Sequence, residues 1–206
     1  MLEGYTGRSI HDFLPAYLKF EGLKHGLCNA HHLRDLTFVE EHHGQRWPVE
    51  MIELLLEGKK LKDREGEGGR KVGPVTLVRL RERYQEILAV GRAENPEPEP
   101  RPGKRGRPAR GKALNLLDRF TNYEEETLAF LLYDVPFDNN EAERDLRMMK
   151  TRQKISGCFR SLEWSRGFAK VRSVIASAKK RSVDVYGVLQ KLFADPVEAE
   201  KLLFDT

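Results

Sequence analysis

Cysteine is scarce in this chain: two residues, Cys28 and Cys158, among 206. Two cysteines cannot build the disulfide framework of a small secreted domain, so the composition points to a reducing, cytoplasmic setting. No apolar run approaches the roughly 18 residues that a membrane-spanning helix needs. The opening MLEGYTGRSIHDF has neither the charged nor the apolar region of a signal peptide. Strand signals are few, and no internal repeat is visible. The expectation is a soluble, mostly α chain with a small sheet.

Charge is what the sequence has in abundance. Charged residues make up 33% of it and hydrophobic ones 39%, so a real core coexists with a very polar surface. The net charge of +4 says less than its distribution. Residues 144–181 hold twelve Lys or Arg against two acids, Asp145 and Glu163. That segment suits a polyanionic partner. The acids cluster elsewhere, in 50–67, 94–99 and 124–126.

Periodicity outlines the elements. Ser9-Ile10-His11 reads as the end of a strand, and Pro15 fits the first turn of a short helix after Asp12. Residues 25–28 read as a second strand, and then Leu33, Leu36 and Val39 share a helical face. Pro48 opens a helix that turns Met51, Ile52, Leu55 and Leu56 inward. REGEGGRKVGP reads as a loop, and Pro74 starts a helix with Leu77, Leu80, Tyr84, Ile87 and Leu88 at helical spacing.

NPEPEPRPGKRGRPARGK lacks apolar periodicity and reads as an exposed arm. Residues 114–120 are helical by pattern. Asn122 is placed to cap YEEETLAFLLYD, and Asn139 or Asn140 to cap the helix after it. Trp164, Phe168, Val171, Ile175 and Ala178 stripe another helix. Val185, Tyr186, Leu189, Leu192 and Phe193 stripe a last one, which Pro196 ends.

Three constellations carry chemistry. In VPFDNNEAERDLRMMKTRQK, Glu143 lies in a first helical turn and Lys150 two turns further along the same side. A metal-ligating carboxylate with a cation on its face suits phosphodiester chemistry, the cation holding a neighbouring phosphate. A capped, solvated surface helix needs no such role. Cys28-Asn-Ala-His31 looks like half a zinc site, but no second pair of ligands completes four, so core packing of Cys28 and His31 is expected. Arg105-Gly106-Arg107-Pro108 resembles an AT-hook, whose extended arginines fit a narrow minor groove. A solvated linker reads equally well. Asp12, before a proline-containing turn, is by itself an ordinary helix cap or turn former.

Taken in order, IHDFLPAYLKFEGLKHGLCNAHHLRDL, LLLEGKKL, KRGRPARGKALNLLDRF, VPFDNNEAERDLRMMKTRQKISGCFRS and YGVLQKLF resemble the C-terminal part of the catalytic region of transposases of the insertion sequence 66 family. The DNNxAER block is the most specific part. The resemblance implies a DDE transposase with an RNase H-like α/β core, whose three carboxylates hold two Mg2+ ions for nicking and joining DNA. It implies Asp12 as the second acid and Glu143 as the third, both catalytic and metal-binding. Lys150 would be the basic residue that follows the third acid, and Cys28 with His31 a structural pair. Lys150, Arg144, Arg147, Arg105 and Arg107 would contact double-stranded DNA at the element ends and target.

The implied organisation is a partial core over 1–34, a helical insertion over 35–100, a basic arm over 101–112, and a C-terminal helical part of the core over 113–206. The first acid belongs on a strand upstream of the second. None of the eleven residues ahead of Asp12 matches it, and Glu3 sits in a loop-like segment. The chain therefore resembles an N-terminally truncated transposase with an incomplete core, expected to be inactive alone. A homo-oligomer or a full-length transposase is the further partner to expect. The alternative is a non-catalytic DNA-binding regulator or relic.

Overall fold

The computed structural model of the protein describes residues 6–20, 22–68, 72–98 and 110–204. It is mostly helical with one small sheet, and it divides into two compact units, residues 1–139 and 140–206. No described helix is long and apolar enough to cross a membrane.

In the first unit, strand β1 (Arg8–His11) pairs in parallel with β2 (Lys24–Leu27), with His11 opposite Leu27. A parallel pair needs a crossover of about a dozen residues, and residues 12–23 supply it. Among the described residues they hold one short 3-10 helix, Tyr17–Lys19, where a short helix with Pro15 in its first turn is expected. The strand pair packs on the stretch after residue 124. Arg8 stacks 3.7 Å from the centre of the Tyr133 ring, and Gly26 leaves room for Ile10 against Ala129.

Helices α1 (Asn29–His43), α2 (Trp47–Gly68), α3 (Pro74–Glu94) and α4 (Lys112–Asn122) build the core of this unit. Phe120 is its hub. The rings of Trp47 and Tyr84 stand edge-on to it at 6.3 and 6.2 Å, and the buried Tyr84 hydroxyl donates to the Phe120 carbonyl at 2.8 Å. That bond satisfies a carbonyl at a helix end that has no partner within its own helix.

Three expectations are corrected in this unit. Helix α2 buries Met51 and Leu55 as expected, packs Ile52 partly buried against the core and adds Trp47 and Leu54, while Leu56, expected inward, is exposed. It also runs on to Gly68, through a segment that composition marks as loop, since each added residue closes another backbone hydrogen bond. Asn122 lies inside α4 rather than capping a helix after it. The chain breaks at Tyr123 into two short helices, α5 (Glu124–Thr127) and α6 (Ala129–Leu132).

The second unit holds α7 (Asn140–Ser156), α8 (Leu162–Lys180), α9 (Val185–Ala194) and α10 (Pro196–Phe204). Its caps are explicit. Ser161 accepts from the Trp164 N–H, and the Asp184 carboxylate accepts from Tyr186 and Gly187 at 3.1 and 2.9 Å. Pro196 ends α9, as expected, but it also opens α10, which the sequence pattern does not announce. The core of this unit is small, around Ala178, Val188 and Leu203. Of the predicted α8 stripe only Ala178 is fully buried, and Trp164 is 72% exposed.

Gly91 marks a close approach of α3 to Trp47 and Leu117. A Cβ there would sit 3.0 Å from Trp47 Cγ and closer still to Leu117. Alanine at a helical glycine gains about 1 kcal/mol of propensity, but overpacking costs about 1–3 kcal/mol. Gly91→Ala is therefore expected to lower the urea midpoint, followed by tryptophan fluorescence. A raised midpoint would show that Leu117 yields freely.

Candidate active site and nucleic-acid interface

Asp12 stands exposed immediately beyond the carboxyl end of β1. Phe13, next to it, has φ +62°, a left-handed conformation that a bulky residue rarely adopts. Tertiary contacts hold it there. Its ring meets Tyr123 edge-on at 4.9 Å, and the Arg119 guanidinium lies 4.7 Å from the ring centre. Arg119 is itself fixed by Asp35 at 2.7 Å. The backbone at Asp12 is thus set by packing on α1 and α4 rather than by local propensity.

Behind Asp12 lies the buried imidazole of His11, stacked on Tyr17 at 4.7 Å, with Nε2 3.1 Å from His25 Nδ1. Burial, then the neighbouring His25, pushes its pKa down to about 4, with Asp12 opposing. The ring is neutral at physiological pH and acts as packing behind the carboxylate.

Cys28 joins three segments. Its backbone N–H donates to the His11 carbonyl at 2.9 Å, and its sulfur accepts from the Asn139 N–H at 3.4 Å. The Asn29 N–H donates to the Phe137 carbonyl at 3.1 Å, and Lys62 Nζ donates to the Val135 and Tyr133 carbonyls at 2.6 and 3.3 Å. Residues 133–139 are therefore pinned to the β2–α1 junction and to α2. Burial pushes the Cys28 thiol up, against the neighbouring N–H groups of Asn139, His31 and Ala30, which suits an inert structural cysteine. His31 is half-buried on the first turn of α1.

The fully buried imidazole belongs instead to the next residue. His32 Nδ1 is 3.1 Å from Asn29 Oδ1, and Asn29 Nδ2 donates to the Thr127 carbonyl at 3.0 Å. Burial, then Arg119 and His31, pushes the His32 pKa down to about 3. Sequence reasoning alone passes over His11, His32, Lys62 and Arg119. The spacing of Asn29 and His32 across one helical turn is the one signal available for them. Within either unit, no three His, Cys, Asp or Glu side chains among the described residues are grouped as metal ligands.

Glu143 lies in the first turn of α7, in the second unit, whereas Asp12 belongs to the first. Glu143, Arg147, Lys150 and Lys154 stand at i, i+4, i+7 and i+11, one stripe along the helix. Glu141 and Asp145 lie on the opposite side, where Lys180 of α8 meets them at 3.3 and 2.7 Å. The stripe therefore faces away from α8. Arg144, Arg147 and Lys150 are all exposed, with Arg144 beside the stripe. Arg105 and Arg107 lie outside the described residues.

The two lowered imidazoles set an acid limit. Unfolded histidines take up protons near pH 6.5, while folded His11 and His32 resist until about pH 4 and 3. Stability is full above pH 6.5 and falls as the pH drops, approaching about 1.4 kcal/mol per pH unit for each histidine. Urea midpoints between pH 7 and 5 are expected to fall accordingly. His32→Gln should lower the midpoint at pH 7 and flatten the slope. An unchanged slope would contradict the neutral buried imidazole.

A family model described as Transposase IS66 family matches residues 1–166, a span that holds both Asp12 and Glu143. No curated protein and no solved structure matches the chain. With most of its length matched, the chain belongs to the IS66 family of transposases.

Proposed function

We propose that the chain carries two of the three carboxylates of a DDE-type strand-transfer centre, Asp12 and Glu143, on the frame of an RNase H-like core. The observation that carries this reading is the position of Asp12, exposed at the carboxyl end of a strand in a parallel pair, within the stretch matched to the transposase family. Ligands of open α/β sheets gather at that end of the strands. Residues 35–100 then form a helical insertion between the second and third acids.

The donor chemistry of the two residues fits Mg2+: both offer hard carboxylate oxygens, and Asp12 is open to solvent. When bound, Mg2+ supplies Lewis-acid polarisation of a phosphodiester and a more acidic water. The chain's own residues do the positioning. Phe13 and His11 fix the backbone that presents Asp12. Lys150, seven residues beyond Glu143 and about 10 Å along the helix axis, would hold a phosphate next to the reacting one. Arg144 and Arg147 add sequence-independent contacts to the DNA backbone. None of Thr6, Gly7, Arg8, Ser9, Ile10 and His11 offers a carboxylate, so in our reading β1 and the residues just ahead of it do not supply the first acid of the triad.

Misplacing a reacting group by about 1 Å can cost on the order of a hundredfold in rate. The 206-residue chain alone is therefore expected to show no Mg2+- or Mn2+-dependent nicking of DNA bearing the ends of its element. A version extended by an acid-bearing strand should gain that activity. In the extended protein, Asp12→Asn and Glu143→Gln should each abolish nicking. Glu141→Gln, on the opposite face of α7, should be mild. Robust nicking by the short chain, lost on Glu143→Gln, would overturn the need for the first acid. DNA binding without nicking in every extended form would favour a non-catalytic regulator.

A further inference from the structure

Helix α9, VYGVLQKLFA, carries one charged side chain, that of Lys191. Its inward side is accounted for, since Val188 is buried and Val185 packs on the same small core. The side turned away from that core is apolar too. Tyr186 is 70% exposed and Phe193 82%. At 3.6 residues per turn these two lie about 20° apart around the helix, and about 150° from Val188. A helix that is apolar on both sides is ordinarily covered on both.

The exposed stripe is complementary to itself. Phe193 follows Tyr186 by two turns, about 10 Å along the axis, and the midpoint falls between Leu189 and Gln190 on the same side. A two-fold axis through that midpoint sets a second copy of α9 antiparallel to the first. Tyr186 of each copy then meets Phe193 of the other, in an isologous contact. Charge selects the same orientation. Residues 179–184 carry Lys179, Lys180 and Arg181 against Asp184, and residues 195–201 carry Asp195, Glu198 and Glu200 against Lys201. Antiparallel copies bring the basic end of one α9 to the acidic end of the other, whereas parallel copies oppose like to like. Acids at one end also disfavour an anionic lipid surface as the cover.

From these observations we infer that α9 is a self-association surface, on which a second copy of this chain docks antiparallel about an axis between Leu189 and Gln190. Four aromatic rings at about 150–250 Å2 each give a contact of roughly 600–1,000 Å2, the size of a weak, reversible interface. The surface lies beyond residue 166, outside the stretch matched to the transposase family, and it requires no DNA.

Sedimentation velocity of the full chain, from about 1 to 200 μM without DNA, tests this, with a monomer–dimer equilibrium expected on the order of 10 μM. Tyr186→Glu and Phe193→Glu should each weaken the dimer about tenfold or more. Both side chains are exposed, so the circular dichroism spectrum should not change. Cys158 is an exposed cysteine, so the register is read in a Cys158→Ser background. There Gln190→Cys sets a thiol beside the axis and should form an intermolecular disulfide on mild oxidation, while Gln153→Cys on α7 should not. A chain that stays monomeric throughout, or a dimer indifferent to both glutamates, would overturn the assignment. So would crosslinking through Gln153→Cys in preference to Gln190→Cys. Monomers that float with anionic vesicles, and lose this on Phe193→Glu, would give the stripe to a lipid surface and overturn it as well.

Discussion

The sulfur of Cys28 accepts a hydrogen bond from a backbone N–H 111 residues further along the chain, and the junction behind Asp12 in the first unit is built on that contact. The same residue donates its own N–H to the His11 carbonyl. Cys28 thus ties the strand that ends at His11 to the segment that ends at Asn139. Each bond alone is modest, on the order of 1 kcal/mol. Their joint effect is larger, because Asn29 and Lys62 repeat the attachment on either side and Phe137 seats its ring 4.9 Å from Phe130. A cysteine suits the position because it is small, buries well and can accept a weak bond without carrying charge.

How much of this is legible in the sequence depends on the kind of signal. Strand positions around Ile10 and His25, and the helix opened by Pro74, follow from local pattern, since proline and apolar spacing act within a few residues. The face of α2 follows only in part: Met51 and Leu55 are buried as expected, whereas Leu56 is exposed and Trp47 joins the core against Phe120, a partner far along the chain. Pro196 reads as a stop and is also a start; a proline at the first helical position looks the same in sequence as one that ends the preceding helix. Core packing is the expectation for both members of the Cys28-x-x-His31 pair, and Cys28 meets it while the deeply buried imidazole is that of His32. Asp12 has no local signal, and the left-handed Phe13 beside it arises only from contacts with Tyr123 and Arg119.

Charge follows a consistent division. The acids of the helical region, such as Glu57 and Glu124, are used within the first unit, pairing with Arg83 and Arg81 at 2.7 Å. Exposed pairs of this kind contribute little to stability, but they neutralise the cations of those helices. On α7 the acids Glu141 and Asp145 turn to Lys180, so the stripe behind Glu143 stays dominated by Arg147, Lys150 and Lys154. The positive charge of α7 is thereby left on one stripe, an arrangement that suits a nucleic-acid partner.

If Cys28 holds the two segments at one point, amide hydrogen exchange on Cys28→Ala reveals it most directly. The substitution removes the sulfur acceptor and keeps the backbone donor to His11. The Asn139 amide is then expected to exchange on the order of tenfold faster or more, with faster exchange at Asn29 and little change in the α2–α3 core. Unchanged protection at Asn139 would contradict the role given to Cys28.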